Sequence, residues 1–146
     1  MNNINNDLIL YNEGDKDLEK FLNPLLATTG IPLEVHIQEE LRVLFEKGIL
    51  QIFGARLWSA LNSESWRLRE AASSAYLQYI EGQIPEKYNG NTKNLFLATI
   101  EIAKICCNDK LLQIYFIGLK ILTTGLNEPI CGQDVKIGRA SCRERV

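Results

Sequence analysis

At 146 residues, 46% hydrophobic and 23% charged, with a formal net charge of −2, the chain can bury one ordinary globular core and is short for two. No run approaches the roughly eighteen uninterrupted apolar residues of a membrane span, and Met1-Asn2-Asn3-Ile4-Asn5-Asn6-Asp7 lacks the basic and apolar regions of a secretory signal, so a cytoplasmic protein is expected. The four cysteines, Cys106, Cys107, Cys131 and Cys142, include no pair at the two-residue spacing that brings two thiolates to one zinc ion, so neither metal nor cofactor is expected.

Residues 1–32 read as an acidic, flexible leader. Residues 1–40 hold eight acidic side chains against Lys16 and Lys20, and the asparagines, Gly14, Asn23-Pro24 and Gly30-Ile31-Pro32 interrupt helix formation. One short helix near Leu18 to Leu22 is expected there. From Leu33 the pattern turns helical: Pro32 suits a first turn, and Val35, Ile37, Leu41, Leu44 and Phe45 supply an apolar face up to Lys47, with Gly48 ending or kinking the helix. A second helix runs from Ile49 to Asn62 on Leu50, Phe53, Gly54, Leu57 and Leu61.

After the polar turn Asn62-Ser63-Glu64-Ser65, where Ser63 or Ser65 can cap the next helix, Leu68, Ala71, Ala72, Ala75, Tyr76, Tyr79 and Ile80 recur at three-four spacing until Gly82 and Pro85. Asn91-Thr92 caps a further helix through Cys107, with Leu95, Phe96, Ile100, Ile102, Ile105 and Cys106 as core. Asn108-Asp109 then caps a last helix from Lys110 to about Thr124, closed by Gly125. This helix is apolar nearly all round and expects protein on several sides, including self-association through Leu119 to Leu122.

Ile137 to Val146 break with the composition before them. Back-translated, they resemble read-through of a sequencing adapter, so residues 137–146 are set aside, and with them three arginines and one glutamate, which takes the net charge from −2 to −4. Residues 127–136 then read as the start of a further segment, and the natural chain is expected to continue beyond Lys136.

A repeat runs through the folded part. Shifting by 43 positions lays Phe96 on Phe53, Ile100 on Leu57, Asp109 on Trp66, Gly118 on Ala75 and Leu122 on Tyr79. Helix, short polar turn, helix and loop at a period of about 40 to 47 residues is the pattern of HEAT-type repeats. The expected fold is therefore all-α, an α-solenoid of antiparallel helix pairs over residues 33–126.

Trp66 stands out because it lies off the apolar stripe of its own helix, at the first turn, beside Arg67 and Arg69. An aromatic flanked by arginines is the composition of an interaction hot spot. Equally, Trp66 could cover a neighbouring repeat while Arg69 pairs with Glu64 or Glu70.

Leu50-Gln51-Ile52-Phe53-Gly54 followed by Ser65-Trp66-Arg67-Leu68-Arg69-Glu70-Ala71, and later Lys93-Asn94-Leu95 to Leu119-Lys120-Ile121-Leu122, resembles the TOG domain of the centrosomal protein of 104 kDa family over about residues 49 to 126. The resemblance implies a truncated TOG-type domain that binds tubulin through the turns inside its repeats, and a location in the cytoskeleton, at the cilium tip or the centriole. Carried over by position, it makes Trp66, Arg67, Arg69, Asn108 and Lys110 the tubulin-binding candidates, with Asn108 and Asp109 able also to cap the helix. The alternative is a HEAT-repeat scaffold for another protein, and the exposure of Trp66 discriminates the two.

Other signals are weaker. Thr29-Gly30-Ile31-Pro32 matches the short motif read by microtubule end-binding proteins, but Glu34, Glu39 and Glu40 follow where such partners favour basic flanks. His36 with Cys106 or Cys107 makes a poor nucleophile-base pair, because apolar neighbours raise a thiol pKa. No phosphate loop or paired-carboxylate motif appears, so no catalytic residue is assigned, and the mild positive balance of the folded half falls short of a nucleic-acid-binding stripe.

Overall fold

The computed structural model describes residues 11–83 and 91–125. Among them the chain forms α-helices and no strand: α1 Lys16–Thr29, α2 Glu39–Glu46, α3 Leu50–Leu61, α4 Trp66–Glu81, α5 Thr92–Cys107 and α6 Leu112–Gly125. The loop before Asn91, the segment 127–136, the tail 137–146, Cys131 and Cys142 lie outside the described residues.

The all-α reading holds. Turns of four residues join α3 to α4 and α5 to α6, and turns this short send the second helix back along the first. In addition α3 packs on α5 and α4 on α6, so the two pairs stack like on like. Phe53, Leu57, Ala72, Ala75, Tyr76, Tyr79, Ala98, Ile102, Ile114 and Ile121 are completely buried between them. Small residues set the spacing. A β-carbon on Gly118 would lie 2.8 Å from Cys106 Cβ and 2.9 Å from the Cys107 nitrogen, so α6 approaches α5 more closely than any side chain there permits. The Tyr76 hydroxyl bonds the Thr99 hydroxyl at 2.9 Å, satisfying two polar groups inside this core.

Over the described part of the leader, residues 11–32, the flexible reading is corrected, while residues 1–10 lie outside the described residues. Lys16–Thr29 is a continuous helix packed against α4, capped by the Asp15 side chain at the Asp17 N–H and closed by Gly30 in the left-handed region (φ 67°). Leu18, Leu22 and Leu26, one turn apart, are buried along it. Pro24 inside a helix costs about 3 kcal/mol. Burying each leucine contributes roughly 1.5–3 kcal/mol, so three of them outweigh the proline.

The helix expected from Leu33 is also corrected. Residues 31–38 are non-helical, and α2 begins only at Glu39. Ile31, Leu33, Val35 and Ile37 pack on the core while Pro32, Glu34, His36 and Gln38 are exposed. This alternation has period two, that of extended chain, and was present in the residue pattern. Pro32 consequently opens no helix.

Finally, α3 is broken at Gly54, whose φ of 81° and ψ of 154° are essentially confined to glycine. Residues 11–15 lie in the break and take its free backbone groups. Asp15 N donates to Ile52 O at 2.8 Å, while Ala55 N and Arg56 N donate to Tyr11 O and Asn12 O at 2.9 Å each. Two glycines make the approach possible: a β-carbon on Gly14 would sit 2.2 Å from Ile52 O, and one on Gly54 would sit 2.4 Å from Gly14 N.

Candidate functional site

The α3–α4 turn is held by local bonds. Asn62 Nδ2 donates to Trp58 O at 2.8 Å, and Ser65 N donates to Ser63 Oγ at 3.1 Å. Ser65 precedes α4 but its side chain makes no capping bond, so Ser63 shapes the turn rather than either serine capping the helix. Trp66 therefore enters as the first helical residue, with 43% of its surface exposed. The Arg67 guanidinium lies over its ring, 5.6 Å from the centroid, a cation–π geometry that contributes about 0.5–1 kcal/mol at an exposed position. Leu25, Thr28 and Thr29 of α1 form the other wall of a groove with Trp66, Arg67, Glu70 and Ala71. Leu25 and Thr28 were missed because the short helix expected in the leader stopped near Leu22, whereas α1 continues to Thr29.

Arg69 is engaged within the chain. Its Nε donates to Asp109 Oδ2 at 2.7 Å, and its Nη1 donates to the carbonyls of Ser63 and Glu64 at 3.0 Å each. The two charged side chains are 13% and 8% exposed. The guanidinium ties the first turn to the second. Asp109 Oδ1 in turn accepts from Leu111 N at 2.9 Å, so one carboxylate both receives Arg69 and satisfies a free N–H ahead of α6. Arg69 thus pairs with neither the Glu64 nor the Glu70 carboxylate. The available signal was an opposite-charge pair separated by 40 positions, close to the repeat spacing. Gln113 Nε2, bonded to Glu70 Oε2 at 3.0 Å, forms a second bridge at a separation of 43.

Asn108 and Lys110 are exposed. With Asn62, Ser63, Arg69 and Asp109 they line a shallow depression that joins the two turns into one surface. Trp66 and Arg67 belong to the separate α1–α4 groove. The five candidates therefore divide into two exposed groups, Trp66 with Arg67 and Asn108 with Lys110, and Arg69 between the turns.

At Thr29-Gly30-Ile31-Pro32, the Thr29 hydroxyl donates to Leu26 O at 2.6 Å and accepts from Ile31 N at 3.1 Å, and Ile31 packs on the core. As folded, these residues close α1 and are not displayed as a free extended peptide. The ionic neighbour of His36 is Glu34, at 4.0 Å. Burial pushes the Cys106 thiol up to about 12, with smaller contributions from Cys107 and Asp109, and raises Cys107 as well. Both thiols stay protonated at neutral pH, consistent with packing.

No described helix is long and apolar enough to cross a membrane. Comparison with known proteins finds no family model, no curated relative and no solved structure that matches the chain.

Proposed function

We propose that this chain is a non-catalytic protein-binding module that engages tubulin along the edge carrying the turns 62–67 and 107–110, within a microtubule-associated protein of the cytoskeleton, cilium tip or centriole. The observation that carries this reading is Trp66: nearly half exposed, at the first turn of α4, under the Arg67 guanidinium. Half-exposed tryptophan beside arginine is the composition enriched at hot spots. Lys110, exposed at the adjoining turn, adds a cation suited to an acidic partner. The Arg69–Asp109 bridge holds the two turns in register. The second reading, a helical-repeat scaffold for another protein, draws on the α1–α4 groove, where Leu25 and Thr28 stand against the same tryptophan.

Co-elution of the intact chain with αβ-tubulin at low salt tests the proposal. The intact chain is required because α1 and residues 11–15 are part of the fold. Trp66→Ala should weaken binding by about 2 kcal/mol or more, roughly thirtyfold, with little change in helix content. Equal affinity of variant and parent removes Trp66 from the interface, and no binding by the parent leaves the scaffold reading.

A further inference from the structure

The non-helical segment before α2 forms one wall of a cleft of about 510 Å³, and the end of α3 with the α3–α4 turn forms the other. Ile31, Leu33, Val35 and Ile37 anchor this wall on the core. No backbone N–H or carbonyl from Leu33 to Ile37 bonds another described residue. Extended backbone without a ladder partner is a surface along which a second extended chain docks. From Pro32 to Gln38 the segment spans at most about 20 Å, the length of a short strand.

Charge selects what can fill the cleft. Glu34, Glu40 and Glu64, all exposed, line it, and no lysine or arginine does. Among the described residues Glu40 and Glu64 have no ion-pair partner, and Glu34 has only the His36 imidazole, at 4.0 Å. The neighbouring arginines are engaged elsewhere, Arg42 by Glu39 and Glu46 and Arg69 by Asp109. Among the described residues no three acidic, histidine or cysteine side chains converge closely enough to hold a metal ion. The negative charge is therefore spread along the cleft and suits cations spaced along a chain. Trp58 contributes an aromatic surface to the same cleft, and its ring is fixed by stacking on Phe53, 5.6 Å between centroids. An indole attracts an ammonium or guanidinium group through its ring quadrupole, and the carboxylates attract it through charge. We propose that this cleft binds a basic peptide segment in extended form, its lysine or arginine side chains meeting Glu34, Glu40 and Glu64 and one of them lying on Trp58. The cleft adjoins the turn edge at Asn62, Ser63 and Glu64, but the proposal does not depend on tubulin binding.

Fluorescence anisotropy with the intact chain and a labelled peptide of alternating lysine and threonine, at low salt, tests it. The parent should bind this peptide and not its glutamate-threonine counterpart. Glu34→Lys and Glu64→Lys, at exposed positions, should each raise Kd at least about fivefold while circular dichroism stays unchanged. Glu81→Lys makes the same charge change outside the cleft and should alter Kd less than about twofold. A parent that does not bind, or cleft variants that bind as the parent does, overturns the proposal. So does an equal loss from Glu81→Lys, because overall charge then accounts for the binding. Spermine that displaces the labelled peptide as well as unlabelled peptide does overturns the extended-peptide reading in favour of a site for any polycation.

Discussion

Replacing Gly54 with alanine should separate residues 11–15 from the helices they lie in. Retaining the native geometry would place a β-carbon 2.4 Å from Gly14 N and 2.7 Å from the Glu13 carbonyl carbon, both backbone atoms, at a φ of 81°. The conformational strain alone costs about 1–3 kcal/mol, and the overlap adds to it. The other route expels the segment and loses the three bonds from Asp15, Ala55 and Arg56. At about 1 kcal/mol net for each bond, this route costs about 3 kcal/mol. Either way a loss of about 3 kcal/mol is expected, which lowers the melting temperature by roughly 10–20 °C for a fold of this size. Thermal unfolding followed by circular dichroism measures the loss, and hydrogen exchange should show faster exchange at the Asp15, Ala55 and Arg56 amides. Gly30→Ala is the internal control: its φ is also positive, at 67°, but nothing lies within 4 Å of the added carbon, so only about 1 kcal/mol should be lost. Equal melting temperatures for Gly54→Ala and the parent would refute the insertion of residues 11–15 into α3.

Two further predictions concern charge. Arg69→Ala leaves the buried Asp109 carboxylate without its partner and should cost about 3 kcal/mol; a double-mutant cycle with Asp109→Ala checks it, and additive losses would show that the bridge carries no coupling. Glu19, buried beside Arg56 at 2.7 Å and accepting from Gly14 N at 3.1 Å, has its pKa raised above the ordinary carboxylate value chiefly by burial, against the opposing effects of Gly14 and Arg56. A raised carboxyl pKa means that the folded state binds the proton more tightly than the unfolded chain. The parent should therefore lose stability relative to Glu19→Gln as pH rises from the ordinary value through the raised one; chemical denaturation of both proteins across that window measures it, and parallel pH profiles would contradict the assignment.

Much of the helical core was legible along the chain. The three-four spacing through Leu68, Ala72, Ala75, Tyr76 and Tyr79 and the caps at Asn91 and around Asp109 depend on neighbours only a few residues away, and local rules suffice for them. The off-stripe position of Trp66 was legible for the same reason, whereas the choice between exposure and cover by a neighbouring repeat came from the structure.

The leader was misread because its helix is stabilised by contacts rather than composition: Pro24 and the acidic residues speak against a helix, while the buried leucines act only when α4 is in place. Residues 31–37 were misread in the opposite direction, their period-two alternation taken for part of a helical face. By itself the sequence determined that the protein is all-α and where the principal helix pair turns lie, because periodicity and capping are properties of neighbouring residues. Only the tertiary structure decided that residues 11–15 complete α3 and that Arg69 pairs with Asp109. Each of these depends on groups brought together across 37 to 64 positions of chain, as in Arg56–Glu19, Arg69–Asp109 and Tyr79–Asp15, and residue order alone carries no distance over such separations.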